Sequence, residues 1–235
     1  MQRIATRFRH HRLFVLCLSL FIILSAIVFT GVLIPLDIST RLFVRQSISE
    51  RAFLPIADFL DQVFKFRMVV PVFVLSLFLF ARTRYGLKIF LAFFSMFAIE
   101  VLAKLFIPQH TFSGGPYIKN FAGLLPFGDL IGDLDVARFP FPSGHVARTV
   151  FFALLILGVM GKYRWFKTKQ WIVAVLFICL TVVVSISRMY LFRHWLTDVL
   201  GGLLLGAGFG WIVYDIVISF GPRQPGNTRA TFKNR

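Results

Sequence analysis

The chain has 235 residues, of which 57% are hydrophobic, and its mean hydropathy is +0.79. Soluble domains average roughly 45–50% apolar residues, and the excess here lies in long blocks, which indicates an integral membrane protein. The formal net charge of +16 would suit a nucleic-acid-binding protein, but its distribution along the chain argues against that class.

Six apolar blocks are predicted to form membrane-spanning helices, since each is near the roughly 17–25 residues that a bilayer requires. The first, 13–36, follows a basic tail and is too long for a signal-peptide core, so we interpret it as a retained helix. The second, 66–81, is short and contains Pro71. The other four blocks are 87–107, 146–160, 171–187 and 196–220. The block 146–160 is also short, and we expect its helix to include residues before it.

The basic residues are concentrated in the tails and in some of the loops between these blocks. Fifteen of the 26 Lys and Arg residues lie in the two terminal tails, the fourth–fifth loop and the segment 82–88 around the second–third loop, and these segments contain no Asp or Glu. With six helices these segments share one side of the membrane, and the positive-inside rule makes that side cytoplasmic. The loops on the other side, 37–65 and 108–142, carry seven of the ten acidic residues. The net charge is therefore mainly a topology signal, and we expect no nucleic-acid partner.

We therefore predict an all-α, polytopic membrane protein with six transmembrane helices in one bundle. The bundle occupies 13–220, between basic cytoplasmic tails at 1–12 and 221–235. The first outer loop, 37–65, mixes apolar and charged residues at roughly helical spacing. This pattern is typical either of an interfacial amphipathic helix or of an ordinary packed connecting segment.

Three polar groups fall on the predicted outer side. Lys104 lies near the outer end of the third helix, Pro-Ser-Gly-His at 142–145 opens the fourth, and the segment 187–198 joins the fifth and sixth. The helix count and the loop charges do not depend on these motifs, yet all three lie on the same side. Ionisable residues at the membrane edge are functional candidates, so we expect one site there.

The residue types in these groups suit a phosphate. Ser143 can cap the fourth helix, whose free N–H groups and dipole favour an anion. Gly144 permits close approach of the backbone to a ligand. Arg188 offers a planar fork for two phosphate oxygens, and Lys104 adds a point charge.

Two histidines supply reactive groups beside this phosphate cradle. His194 and Asp198 are four residues apart and share a face if the sixth helix begins early. Asp198 can then hold one ring nitrogen of His194 and leave the other free to attack phosphorus. His145 can protonate the departing oxygen. A nucleophile, an acid and a cationic cradle together predict a phosphoryl-transfer site that needs no metal.

Two cations near this site have alternative interpretations. Glu100 and Lys104 are four residues apart on one helix, so mutual neutralisation is the alternative to phosphate binding by Lys104. Arg148 follows His145 by about one helical turn. It either lines the site or extends back to the membrane interface.

The order Pro142-Ser143-Gly144-His145, then Ser187-Arg188, five residues, His194, three residues and Asp198, resembles the type 2 phosphatidic-acid phosphatase superfamily. Its members include lipid phosphate, undecaprenyl pyrophosphate, phosphatidylglycerophosphate and lipid A phosphatases. The resemblance covers the six-helix layout and, at motif level, residues from about 100 to 200. It implies no metal and no cofactor. The roles it implies are His194 as a nucleophile forming phosphohistidine, Asp198 as its orienting partner, His145 as general acid, and Ser143, Gly144, Arg188 and Lys104 as phosphate ligands.

The family's first motif is not complete in this chain. It consists of a lysine, six residues and Arg-Pro, whereas counting from Lys104 reaches Thr111 and Phe112. We expect another cation to replace the arginine. Arg138 is the first candidate because it lies just before the Pro-Ser-Gly-His motif, and the other candidates are Lys119 and Arg193.

The sequence thus predicts a metal-independent hydrolase that removes phosphate or pyrophosphate groups from a membrane lipid. Its site would lie on the periplasmic or extracellular side of a cell membrane, a bacterial inner membrane in our interpretation. One alternative is a phosphotransferase that passes the phosphoryl group to a second lipid, which the altered first motif keeps open. The other is a lipid-phosphate binder without catalytic activity.

Overall fold

The structure, a computed structural model, describes residues 2–63, 84–107, 141–161 and 168–219. All regular secondary structure in these ranges is helical, which confirms the all-α class for this part of the chain. The helices there are α1 (Gln2–Phe29), α2 (Ile34–Ser47), α3 (Glu50–Val63), α4 (Arg84–Phe106), α5 (Gly144–Met160), α6 (Gln170–Tyr190) and α7 (Leu196–Ser219).

Four of the described helices are long and apolar enough to cross a membrane. They are α1 over its part His11–Phe29, α4 over Tyr85–Phe106, and α6 and α7 over their full lengths. Helix α5 is apolar as well, and its 17 residues are at the lower limit for a span. It begins at Gly144, two residues before the predicted block, as its short length led us to expect. The predicted span 66–81 lies outside the described residues, so the count of six stays a prediction.

The prediction of one helix over 13–36 is wrong. Helix α1 ends at Phe29, and α2 begins at Ile34. Between them Gly31 has φ +74°, a left-handed value that glycine adopts without the penalty of a side chain. Pro35 follows in the first turn of α2, where its missing N–H is not needed. The hydropathy pattern does not predict this break between α1 and α2, because the residues on both sides of it are apolar.

The segment predicted as the first outer loop is described up to Val63, where it forms most of α2 and all of α3. It packs against the bundle, as the second of its two interpretations predicts. Val44, Ala57 and Leu60 are buried in an apolar cluster that includes Val184 and Tyr190 of α6. Three charged side chains of the segment are also buried: Asp37, Arg41 and Asp61. The segment is therefore part of the protein core and brings charged groups into it.

Helices α5 and α7 approach each other closely along a row of glycines. A Cβ atom on Gly202 would collide with the carbonyl oxygen of Ser143, and one on Gly206 would lie 2.9 Å from the Cα atom of Ala147. Gly210 continues the row at the same spacing of four residues, which keeps all three on one helix face. The two backbones are thus in contact near the N-terminal ends of both helices, where the sequence motifs lie.

Replacement of Gly206 by alanine is expected to destabilise the protein by about 1–3 kcal/mol, because the new methyl group would press on the backbone of α5. Gly208→Ala is the matched control on the same helix. There the nearest atom to a new Cβ is the Cβ of Cys17, a side-chain atom at 3.3 Å. Thermal unfolding in detergent should give a clearly lower midpoint for Gly206→Ala than for Gly208→Ala. Equal midpoints would contradict the close approach of α5 and α7.

Candidate active site

Helix α6 ends in a hydrogen-bonded turn that fixes the residues after it. The Arg193 N–H donates to the carbonyl oxygen of Arg188 (3.1 Å), and the Phe192 N–H donates to that of Met189 (3.2 Å). These two bonds form a Schellman motif, in which Phe192, at φ +56°, takes the left-handed position that is usually glycine. The His194 N–H donates to the same Arg188 carbonyl oxygen (3.2 Å). The turn therefore holds the backbone of His194 beside the end of α6.

His194 and Asp198 are in contact at the start of α7. The helix begins at Leu196, so His194 lies just before it rather than within an early first turn. Oδ2 of the fully buried Asp198 lies 3.3 Å from Nδ1 of His194 and accepts a hydrogen bond from the Trp195 N–H (2.8 Å). Since a carboxylate only accepts, a hydrogen bond in this pair requires a proton on Nδ1, and Nε2 of a neutral imidazole then carries the lone pair.

Asp37 of α2 stabilises the same end of α7. Its Oδ1 accepts a hydrogen bond from the Thr197 N–H (2.9 Å), and its Oδ2 accepts one from the Thr197 hydroxyl (2.7 Å). A side-chain cap of this kind contributes about 1 kcal/mol, and a carboxylate also suits the positive end of the helix dipole. Burial raises the pKa of Asp37, while the bonds from Thr197 oppose that rise. One turn along α2, the Arg41 guanidinium lies 3.9 Å from the ring centre of Trp195.

Ser143 connects the start of α5 to the start of α7. Its N–H donates to the carbonyl oxygen of Asp198 (2.9 Å), and the residue is fully buried at the N-cap of α5. Its hydroxyl makes no capping bond, and Oγ has no hydrogen-bond partner among the described residues. A buried hydroxyl without a partner is unfavourable. It is thus available to a ligand at a helix N-terminus, a position that favours anions.

A carboxylate that the motifs do not include lies between Arg188 and His145. Asp61, near the end of α3, forms an ion pair with Nη1 of Arg188 through its Oδ1. The same oxygen lies 3.9 Å from Nε2 of His145. Asp61 and Arg188 are both buried, and His145 is half-buried. Three helices, α3, α5 and α6, thus bring two predicted site residues and one unpredicted acid together.

The predicted alternative for Lys104, a pairing with Glu100, is present. Its Nζ lies 2.8 Å from Oε1 of the buried Glu100, whose Oε2 lies 3.4 Å from Nη1 of Arg148. This ion cluster abuts the Pro-Ser-Gly-His motif, since a Cβ on Gly144 would collide with the Glu100 carboxylate. Arg148 is buried, and its Nη1 is 2.8 Å from that Cβ position, so it lines the start of α5. Phosphate binding by Lys104 stays a prediction.

The replacement for the missing first-motif arginine also stays a prediction. Arg138, Lys119 and Thr111 lie outside the described residues. Arg193 lies in the turn between α6 and α7, next to His194. No sequence signal pointed to Asp37 or Asp61, because their contacts join residues 160 and 127 positions apart.

Comparison with known proteins agrees with the motifs. A family model described as the PAP2 superfamily matches residues 84–220, which is more than half of the chain. The crystal structure of a transmembrane PAP2-type phosphatidylglycerolphosphate phosphatase from Bacillus subtilis superposes with a TM-score of 0.64 and 22% sequence identity. The match covers 85% of this chain and 93% of that one, so the two share a fold. No curated protein matches the chain significantly. The resemblance inferred from the motifs is confirmed, and the chain belongs to the PAP2 superfamily.

Proposed function

We propose that this chain is an integral membrane lipid phosphatase, which hydrolyses the phosphate or pyrophosphate group of a membrane lipid. The observation that carries the proposal is the meeting of His194 with Asp198 beside the α5 N-terminus, to which Ser143 joins them. Arg188 and His145 lie close to each other as well, because both are near the carboxylate of Asp61. The family and the function of the similar B. subtilis protein support a lipid phosphate as the substrate class.

In the first step of the proposed reaction, Nε2 of His194 attacks phosphorus in line with the leaving oxygen. The N–P bond forms as the P–O bond breaks, and His145 gives its proton to the departing lipid oxygen. Water then attacks the phosphohistidine, the N–P bond breaks, and a proton from that water returns to His145. Asp198 holds the Nδ1 proton of His194 throughout, which keeps the nucleophilic nitrogen directed away from the carboxylate.

The charge that develops on the transferring phosphoryl group requires fixed donors. Arg188 supplies a charged fork, Ser143 a hydroxyl, and the first turn of α5 its free N–H groups. Such preorganised donors are usually the largest contribution to catalysis of this type. Histidine supplies the nucleophile and the acid, so we propose a metal-independent reaction.

We further propose that the site lies on the extracytoplasmic side. Asp37 lies only eight residues beyond the end of α1 and contacts the start of α7, so α1 ends on the side of the site. The basic segments then belong to the opposite, cytoplasmic side. In this proposal 13–220 form one six-helix membrane domain of a cell membrane, with cytoplasmic tails at 1–12 and 221–235.

A phosphotransferase that uses the same site is the second candidate. It is favoured by Thr111, which replaces the first-motif arginine of the family. A changed phosphate pocket can admit a second lipid as the acceptor in place of water. The chemistry at His194 would be the same up to the phosphohistidine.

The first test is phosphate release by purified protein from four lipids: a polyprenyl pyrophosphate, phosphatidylglycerophosphate, phosphatidic acid and lipid A. Each reaction contains EDTA, and wild type is compared with His194→Ala. We expect release from at least one lipid, and a fall to background in His194→Ala because the nucleophile is lost. Arg138→Ala in parallel should reduce release strongly if Arg138 replaces the missing arginine.

The outcomes of this test separate the candidate functions. Free phosphate accumulates only in hydrolysis, whereas a phosphotransferase yields a newly phosphorylated lipid that requires His194. A pure binder would retain lipid affinity in His194→Ala and form neither product. No His194-dependent release from any of these lipids would contradict the phosphatase proposal.

Asp198→Asn tests the orienting role of the carboxylate. The substitution preserves shape but removes the charge that holds the Nδ1–H tautomer of His194. By comparison with the aspartate of serine-protease triads, kcat should fall by a factor on the order of 10⁴. Asp215→Asn is the matched control, because Asp215 lies on the same helix near Ser219, far along α7 from the site. Similar kcat values for the two variants would contradict the proposed role of Asp198.

A further inference from the structure

The carboxylate of Asp61 lies where the proposed reaction requires an anion of the substrate. Its Oδ1 forms an ion pair with Arg188, the proposed phosphate ligand. It is also 3.9 Å from Nε2 of His145, the proposed acid. An oxygen atom placed between these two groups has the position expected for an oxygen of a bound phosphoryl group.

The proposed phosphate ligands include donors that this carboxylate does not use. Nε of Arg188 and Oγ of Ser143 have no hydrogen-bond partner in the part of the chain that the structure describes. Both residues are more than nine-tenths buried. Because a buried donor without a partner is unfavourable, such groups are typical of a ligand-binding site. A tetrahedral oxyanion has more acceptor oxygens than the planar carboxylate and can use these remaining donors.

Asp61 and a bound phosphate cannot both occupy this position. Two anions at hydrogen-bonding distance from the same guanidinium repel each other strongly in a buried, poorly screened site. The carboxylate belongs to the last turn of α3, two residues before that helix ends at Val63. A change of the Asp61 rotamer, or a shift of that last turn, would remove the carboxylate from Arg188.

We propose that Asp61 is an internal competitor that occupies the phosphoryl subsite in the empty protein and must leave when the substrate binds. The inference rests on the proposed function, because it takes Arg188 and His145 as the groups that receive the phosphate. The ion pair shields the buried Arg188 charge while the site is empty. The competition lowers the affinity for every oxyanion ligand, so Asp61 sets how tightly the substrate phosphate is bound.

Asp61→Asn tests the competition with orthovanadate as the probe of the phosphoryl subsite. The neutral amide cannot form the ion pair, so vanadate should bind the variant at least about tenfold more tightly than wild type. Calorimetry on the detergent-solubilised full chain measures this affinity without any lipid. Asp58→Asn is the matched control, since Asp58 is exposed on the same helix and should leave the affinity unchanged.

A second pair of variants distinguishes the loss of the charge from a folding defect in Asp61→Asn. Asp61→Ser also removes the charge and should tighten vanadate binding, whereas Asp61→Glu keeps the charge and should not. Vanadate should raise the thermal unfolding midpoint of each neutral variant more than that of wild type. With an active lipid substrate, KM of Asp61→Asn should fall.

Unchanged or weaker vanadate binding in both neutral variants would overturn the inference. That result would mean that Asp61 positions Arg188 for the ligand, and kcat would fall as well. The proposed phosphatase function would be contradicted by a different result, namely no phosphate release from any of the four lipids. Vanadate binding is measured independently of that release.

Discussion

The contact between the starts of α5 and α7 is the constraint on which the proposed site depends. Glycines of α7 admit the backbone of α5, and the Ser143 N–H donates to the Asp198 carbonyl oxygen. This contact places the Pro-Ser-Gly-His motif beside the His194–Asp198 pair, although they are some fifty residues apart in sequence. A bulkier residue at Gly202 or Gly206 would separate the helices, and with them the proposed phosphate ligands from the proposed nucleophile. Helix packing and chemistry are therefore coupled through the same few backbone atoms.

Charged groups around this contact are buried and held by partners from other helices. Asp37 caps α7, Asp61 pairs with Arg188, and Glu100 lies between Lys104 and a second cation. Buried charges are costly unless they are paired. Helices α2 and α3 supply two of these partners, so the segment that they form has a defined electrostatic role. It stabilises the start of α7 and, in our proposal, regulates access of an anion to Arg188.

The sequence predicts those features that depend on local pattern. Hydropathy locates most of the apolar helices, and the spacing of Ser187 to Asp198 predicts the contact of His194 with Asp198 because the turn there is short. The break at Gly31 has no hydropathy signal, since the flanking residues are apolar. Asp61 could not be predicted as a neighbour of Arg188, because its position depends on how α3 packs on α6. Long-range packing, rather than motif content, decides which acids enter the site.

The proposed mechanism requires that His194 becomes covalently phosphorylated during the reaction. The most direct test uses a lipid substrate with a radioactive phosphate, rapid denaturing quench and peptide mapping. We expect an acid-labile, base-stable label on the peptide that contains His194, with no such label in His194→Ala. Label on a different residue, or phosphate release with no covalent label at any quench time, would contradict it.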